Sequence, residues 1–483
     1  MKQPILSLLF LLCMCGVARA QDKWDLRKCV DYALANNISV RQADLQVRLS
    51  ELSYRQNKGI QYPSFNAGVN SGYNFGLSEN PATGTLENRK TFSTTAGLQS
   101  GVTLFNWFSI KNDIEASRLT VEAEKAQTDK VRNDIALNVA VAYLQILLTK
   151  EQVNISAVQV QQDLSQLELT RKRVAAGVLP EFNSAEIEAQ LAADSSSLIS
   201  AQALYQQNVL QMKALLYLDA ALPFDVTTPP IELIPVENLA DLQPEKVYEL
   251  AVQNLPQQRV NELRIQSANK TAEAVRGHMY PTISAFGNLN SRFVVYKLPV
   301  YQQVVTGYQN TALRVDAGGG SFFNVQSPII AQGGATGTYI RSESLASQLS
   351  DNFGQGLGIG VQVPIFNGHR AKINYQRARL SVTQYELQND QDKQTLKQDI
   401  YKAYNDAMAA IEKFNASRKA LAAAEKAYDF AQKRYNANLL STYDLLNNSN
   451  RVARAKIDML SAQFEYVFRL KLLEFYKGQG LKL

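Results

Sequence analysis

The chain repeats itself at a fixed spacing. Tyr62-Pro63 returns as Tyr280-Pro281, an offset of 218 residues that also aligns neighbouring alanine, asparagine, arginine and leucine positions. Farther along, Leu104-Phe105-Asn106 returns as Ile365-Phe366-Asn367, so the offset has become 261 and stays there. The change places 43 extra residues between Pro281 and Phe366. Because internal repeats govern the whole architecture, the sequence predicts one intertwined domain built from two copies.

The domain boundaries follow from this duplication. The first copy covers residues 21–218 and the second covers residues 246–483. Each copy is interpreted as a helix, two strands and a long helical hairpin, and the second copy carries a long loop between its strands. Residues 219–245 contain five prolines, which is the composition of a linker.

Residues 1–20 have the order of a secretory signal peptide: a basic residue, an apolar run, and Ala18-Arg19-Ala20. A lipoprotein signal is the alternative, but neither cysteine of this segment follows the small residues that acylation requires. Cleavage leaves Cys29 alone, so no internal disulfide can form. Cys29 is predicted to be a small buried residue of the first helix, with a reactive thiol as the other interpretation.

The distribution of charged and apolar residues limits the kind of partner and the kind of membrane contact that the chain can have. Without the signal, 48 basic and 44 acidic residues remain, interspersed along the chain, so no nucleic-acid partner is predicted. No later segment has about 18 consecutive apolar residues, which argues against transmembrane helices. An exported chain of this kind is either soluble or a membrane β-barrel.

Four segments alternate apolar and polar residues with a period of two. The best of them run from Phe65 to Phe75, from Ala96 to Leu104, and from Leu357 to Ile365. About ten tilted residues is the length that crosses a bilayer. A soluble sandwich is the alternative, but it requires a second sheet, and no further strands of this quality are predicted.

Four such strands leave unpaired edges, which lipid does not tolerate, so the chain is expected to pair with copies of itself. The glycine-rich run from Gly354 to Gly360 superficially resembles a dinucleotide loop. It precedes a strand and does not join a strand to a helix, so we interpret it as part of a strand. No cofactor is predicted.

Two long helical hairpins dominate the rest of the sequence. In the first copy, Ile135, Val139, Ala142 and Ile146 form a coiled-coil seam, and the second copy repeats it as Leu396, Ile400, Ala403 and Ala407. Gly177 is predicted to end the outgoing helix, and Asn183 with Glu186 is predicted to form a capping box. Ser441 with Asp444 is predicted to do the same in the second copy.

These features resemble the TolC family of outer-membrane factors across the mature chain. The motifs that carry the resemblance are the segment from Cys29 to Asn37, the duplicated Tyr-Pro, the repeated Phe-Asn before a long helix, and the two hairpin tips. The resemblance implies an α+β membrane protein: a homotrimer whose twelve-stranded transmembrane β-barrel, four strands per chain, continues into a long α-helical coiled-coil barrel. It also implies the outer membrane of a Gram-negative bacterium and a large periplasmic portion.

The resemblance further implies an export duct of a tripartite efflux or secretion system. Its partners would be a periplasmic adaptor protein, an inner-membrane pump of the resistance-nodulation-division or ABC type, and outer-membrane lipid. The expected adaptor contacts are the residues of the two tips: Arg173, Gly177, Val178, Leu179, Arg434, Asn438, Leu439 and Leu440. Of the family's two tip glycines only Gly177 is kept, because Asn438 stands at the other position.

Family members often close the tunnel with aspartate rings just past the tip. Asp444 matches one such position, whereas Asn447 and Asn183 stand where aspartate is common, so the predicted gate is weakly acidic. Asp444 could serve capping, gating or both.

Other functions fit less well. Only His278 and His369 are present, and neither has a partner that indicates a metal site or acid–base catalysis, so no enzyme activity is predicted. A passive porin is the main alternative, although a porin does not need two long hairpins. A coiled-coil scaffold would not need amphipathic strands.

Overall fold

The computed structural model describes residues 23–79, 86–228, 237–295, 297–437 and 439–478. The predicted signal peptide, part of the predicted linker, and Asn438 therefore lie outside the described residues. The chain divides into two compact units. The first unit comprises Met1–Gln56, Asn112–Glu273 and Asn374–Leu483, and the second comprises Asn57–Lys111 and Ala274–Ile373.

The regular elements, in chain order, come in two sets. The helices are α1 (Leu26–Asn36), α2 (Ile38–Gly59), α3 (Ser109–Ala175), α4 (Phe182–Leu216), α5 (Pro244–Asn254), α6 (Pro256–Gly277), α7 (Leu345–Asp351), α8 (Arg370–Asn436) and α9 (Thr442–Tyr476). The strands are β1 (Ser64–Glu79), β2 (Leu86–Phe105), β3 (Thr282–Val295), β4 (Lys297–Asp316), β5 (Phe322–Arg341) and β6 (Gly354–Gln362).

The helix lengths repeat the duplication seen in the sequence. Helices α1 and α5 have 11 residues each, and α2 and α6 have 22. The outgoing helices α3 and α8 have 67 residues each, about 100 Å at 1.5 Å per residue. The return helices α4 and α9 have 35. Such equality means that neither copy has gained or lost a residue within its helices.

The predicted single helix before each strand pair is in fact two helices. The first break falls at Asn37, whose backbone is extended, and whose side-chain oxygen accepts a hydrogen bond from the Ser39 N–H at 2.8 Å. The second break falls at Leu255, just before Pro256. A proline at the first helical position starts a helix but cannot continue the preceding one, which explains the interruption.

The core of the first unit confirms the predicted coiled-coil seam. Val139 and Ile146 are fully buried among residues of α1 and α4, and Ile400 and Ala407 are fully buried in a second cluster with residues of α5 and α9. Cys29 is also fully buried, as predicted. Helix α3 contains one stretch that is long and apolar enough to cross a membrane, and 44% of it is buried inside the protein. Packing against α1 and α4 accounts for the buried part of this stretch.

The second unit contains a four-stranded antiparallel sheet in the order β1-β2-β3-β6. Its register places Phe65 opposite Ser100, Leu98 opposite Leu289, and Gly287 opposite Leu357. Since directly opposed residues share a face, the predicted apolar positions of β1, β2 and β6 lie on one side of the sheet. The other side carries mainly asparagine, glutamine and glycine. The glycine-rich run at Gly354 belongs to strand β6, as predicted.

The segment between β3 and β6, which carries the 43 extra residues, is more ordered than the predicted loop. It contains β4 and β5, two strands of 20 residues that pair only with each other among the described elements, followed by the short helix α7. Two strands beyond the four predicted ones are therefore present, although their alternation is less regular than that of the predicted strands. Four register shifts interrupt the pairing of β4 with β5. They break the period-two alternation of apolar and polar residues by which a strand is recognised in a sequence.

Candidate functional site at the hairpin tips

The first hairpin turns at Gly177, which has a left-handed backbone with φ of +72°. The Gly177 N–H donates to the Val174 carbonyl, and the Val178 N–H donates to the Arg173 carbonyl, each at 2.9 Å. These paired bonds are the usual end of a helix on a left-handed glycine. A Cβ placed on Gly177 would meet no atom within 4 Å, so the dihedral angle alone requires glycine here. The predicted helix stop is confirmed.

The second hairpin ends in the same way. The Leu439 N–H donates to the Arg434 carbonyl at 2.9 Å, and these two residues stand 261 positions after Val178 and Arg173. Asn438, the counterpart of Gly177, lies outside the described residues. The duplication thus extends to the hydrogen bond that closes each outgoing helix.

The return helices begin differently. Helix α9 is capped by Ser441, whose side chain accepts from the Asp444 N–H at 3.1 Å and donates to the Asp444 carboxylate at 2.6 Å. The predicted cap on α9 is therefore confirmed. The predicted Asn183 capping box on α4 is wrong, because the N-cap there is Glu181, which makes no side-chain cap bond.

Asn183 instead joins the two hairpins. It lies inside α4, and its side-chain amide donates to the Thr442 hydroxyl at 2.7 Å. Thr442 is the first residue of α9 and is almost fully buried. Asn183 does not cap α4, because its side chain is hydrogen-bonded to the neighbouring hairpin.

The three predicted gate residues do not share one face. Asn183 packs toward the buried Thr442, whereas Asp444 and Asn447 are exposed and stand three residues apart, on one side of α9. The Asp444 backbone carbonyl also accepts from the Asn448 amide at 2.7 Å. The contacts of Asp444 are thus those of a helix cap.

Sequence reasoning missed Tyr435, which joins the two hairpins. This residue is buried at the end of α8, and the Arg173 guanidinium of α3 lies 5.5 Å from the centre of its ring. Because the two residues are far apart in sequence, no local pattern reveals the pair.

The apolar residues of the tips divide into two pairs. Val178 and Leu439, which are equivalent in the duplication, are 57% and 68% exposed. Leu179 and Leu440, also equivalent, are half-buried, and Leu440 packs against the cluster around Tyr435. The exposed apolar pair is thus Val178 with Leu439, and both belong to the predicted set of adaptor contacts.

The chain belongs to the outer membrane efflux protein family, whose profile matches residues 29–216 and 247–476. The two matched ranges coincide with the two copies, and the gap between them coincides with the predicted linker. Members of this family are efflux channels and not enzymes. Among the described residues, no group of three or more His, Cys, Asp or Glu side chains could hold a metal ion.

Two relatives are similar over most of their length. The outer membrane efflux protein BepC of Brucella suis biovar 1 (strain 1330) is 21% identical over 90% of this chain and 81% of its own. The toxin and drug export protein A of Aggregatibacter actinomycetemcomitans is 20% identical over 92% of this chain and 83% of its own.

Solved structures have the same fold. A CusC structure aligns with a TM-score of 0.74 at 18% identity, covering 94% of this chain and 92% of that one. The outer membrane protein VceC of Vibrio cholerae aligns with a TM-score of 0.69 at 16% identity, covering 95% and 97%. Family and fold together define an outer-membrane efflux channel, so the resemblance stated from the sequence is confirmed.

Proposed function

We propose that three copies of the chain close one twelve-stranded barrel through the open edges of their sheets. The observation that carries this proposal is the strand order, which leaves β1 and β6 at the two edges. Unpaired backbone groups are not tolerated in lipid, and four strands are fewer than the usual minimum of about eight for a closed barrel. Pairing between the β1 edge of one copy and the β6 edge of the next satisfies both requirements.

The apolar side of the sheet supports contact with outer-membrane lipid. Leu357 is 94% exposed, and Val69 and Ile359 are about equally exposed at 69% and 70%. An apolar face of this extent has no described partner within the chain, and a hydrocarbon layer is the environment that stabilises it. The helical hairpins then occupy the periplasm.

The mass of the detergent-extracted protein tests the trimer directly. We expect three chains per particle, with no folded monomer at any detergent concentration that keeps the protein soluble. A monodisperse, folded single chain would contradict the proposal, since its sheet edges would then be stable without partners.

The tips are proposed to engage a periplasmic adaptor protein coupled to an inner-membrane pump of the resistance-nodulation-division or ABC type. Val178 and Leu439 support this because exposed apolar side chains at the end of a hairpin provide contact area without a described partner. The remaining tip residues, including Arg173 and Arg434, would fix the geometry of the turn beneath them.

An exchange of Leu439 for aspartate tests the adaptor contact. We expect Leu439→Asp combined with Val178→Asp to abolish export while trimers remain in the membrane. Leu380→Asp is the matched control, since Leu380 of α8 is 69% exposed and lies away from the tips. Normal export by the tip variant, or equal loss in the control, would count against the contact.

A gating role for Asp444 is proposed beside its capping role. Three copies around a narrow opening would bring like charges together and attract cations. Asp444→Asn retains a capping side chain and removes the charge. Unchanged conductance and unchanged cation block in planar bilayers would leave Asp444 with capping alone.

A further inference from the structure

An acidic residue interrupts the seam of α3. At seven-residue spacing this seam contains Ile135, Ala142, Thr149, Ser156, Asp163 and Thr170. Asp163 is only 3% exposed. A buried ionised carboxylate at a coiled-coil seam is costly unless something neutralises it.

The contacts of Asp163 leave one oxygen without a donor. Its Oδ1 accepts from the Gln159 amide at 3.1 Å, and the same amide donates to the Ser449 hydroxyl of α9 at 3.1 Å. Its Oδ2 is buried and has no hydrogen-bond partner among the described atoms. The neighbouring group within hydrogen-bonding reach is the carboxylate of Asp194 on α4.

Asp194 is held in a similar way. Its Oδ2 accepts from the Gln190 amide at 2.9 Å, and that amide also donates to the Asn450 side chain of α9 at 3.0 Å. Two facing carboxylates, each bound by one glutamine, therefore connect α3 and α4 and tie both helices to α9. We call these four residues, Gln159, Asp163, Gln190 and Asp194, the acid clasp.

The second hairpin has no acid clasp. The residues 261 positions after Asp163 and Asp194 are Ala424 and Ala455. Ala424 is buried in α8, so a small apolar residue closes the same seam there. A hairpin of this architecture therefore does not need the two acids, and the second copy is an internal control for any property that depends on them.

We propose that Asp163 and Asp194 hold one proton between them, and that loss of this proton loosens the tip half of the first hairpin. With the proton present, one carboxyl group donates to the other and the buried Oδ2 gains its partner. Without it, two like charges face each other at a buried position and repel.

A proton fits the clasp better than a metal ion. The glutamine side chains present their amide N–H groups to the carboxylates, which is the orientation that solvates a negative charge. Hard cations such as Ca²⁺ require about six to eight oxygen ligands, and among the described residues only two carboxylates converge here.

The electrostatics agree with this assignment. Burial, followed by the hydrogen bond and charge of Asp194, raises the pKa of Asp163 from 3.8 to about 7, and the Gln159 hydrogen bond lowers it in part. Helix α9 faces the pair with Ser449 and Asn450, which are uncharged. Between these two pKa values the closed hairpin binds more protons than the opened one, so its stability falls as pH rises from about 4 to about 7.

Hydrogen exchange of the full-length protein at about pH 6 and about pH 8, corrected for the intrinsic exchange rate, tests the proposal. Opening over residues 156–170 and 187–201 is expected to be about tenfold more frequent at the higher pH, as linkage to one group of pKa near 7 requires. Residues 417–431 of α8 are expected to change by less than about twofold, because Ala424 carries no proton. Equal changes in both hairpins would overturn the proposal.

Asp163→Asn and Asp194→Asn provide the matched variants. Either one keeps the side-chain size, removes a charge and supplies an N–H donor, so each is expected to abolish the pH dependence and keep the high protection. Asp390→Asn, at an exposed position of α8, is expected to leave the pH dependence of opening in the first hairpin unchanged. If opening of Asp163→Asn is still about tenfold more frequent at about pH 8 than at about pH 6, the proposal is overturned. It is also overturned if Ca²⁺ added to the parent protein at about pH 8 restores protection, because the clasp would then bind a cation and not a proton.

Discussion

At the scale of single residues, Gly177 controls how the first hairpin turns. Its left-handed φ of +72° costs about 1 kcal/mol or more for a residue with a Cβ, although space is available. We therefore expect Gly177→Ala to lower the free energy of opening of the tip by about 1 kcal/mol, measured by hydrogen exchange.

Gly59 offers the matched control for this substitution. It is also a helix-terminal glycine with open space around it, but its φ is not left-handed. Gly59→Ala is expected to be neutral or slightly stabilising, because alanine reduces the freedom of the unfolded chain. A similar cost at both positions would show that the dihedral angle is not the cause.

A second prediction at the residue scale concerns the reactivity of the Cys29 thiol. Burial, followed by the charge of Asp25, raises the pKa of its thiol from 9.0 to about 12, and the charge of Lys28 offsets part of this rise. A raised thiol pKa keeps the group protonated, so the nucleophilic thiolate is scarce at neutral pH and remains scarce up to about pH 9.

Native protein is therefore expected to resist a maleimide reagent over this whole range, with full labelling after denaturation. A cysteine introduced in place of Ser196, which is exposed on α4, is the control and should label quickly. Rapid labelling of native Cys29 would contradict its assignment as a buried apolar residue.

At the scale of elements, the two return helices differ at their first residues. Ser441 caps α9 through its side chain, whereas Glu181 at the start of α4 makes no such bond. Ser441→Ala is expected to destabilise the second hairpin by about 1 kcal/mol, since one orphan N–H loses its acceptor.

Glu181→Ala is the control and is expected to change stability by no more than about 0.5 kcal/mol. Thermal unfolding and exchange of α9 peptides measure the two effects. An equal loss in both variants would show that the cap bond contributes nothing special to α9.

At the scale of the whole molecule, the sheet topology determines from which end of the four-stranded sheet the β4–β5 hairpin extends. The strand ends that adjoin α2, α3, α6 and α8, at Ser64, Phe105, Thr282 and Gln362, lie at one end of the four-stranded sheet. The β4–β5 hairpin leaves from the other end, after Val295. In a membrane-spanning sheet these two ends face opposite sides of the bilayer, and we propose that the β4–β5 hairpin lies on the side of the cell exterior.

An epitope inserted between Gly318 and Gly320, in the exposed turn of β4 and β5, tests this topology. Antibody is expected to bind it on intact cells, whereas the same epitope at Gly177 should be detected only after the outer membrane is opened. The reverse pattern would invert the proposed orientation.

The sequence alone was enough to predict the duplication, the length and register of the long helices, the seam residues, the four strands and the family. The helices, seams and strands depend on periodicity, which is a local property, and the duplication and the family depend on motifs that can be compared directly along the chain. Val139 and Ile146 could be assigned to a core because their spacing requires a common face. The glycine stop at Gly177 followed from one residue's dihedral freedom.

The tertiary structure decided which of these residues meet. The hydrogen bond from Asn183 to Thr442, the packing of half-buried Leu440 against the cluster around Tyr435, and the facing of Asp163 with Asp194 all involve more than one helix. The insertion hairpin escaped prediction because its bulges break the alternation that local patterns need. Contacts between helices and between strands are set by packing in three dimensions, which no spacing along one segment contains.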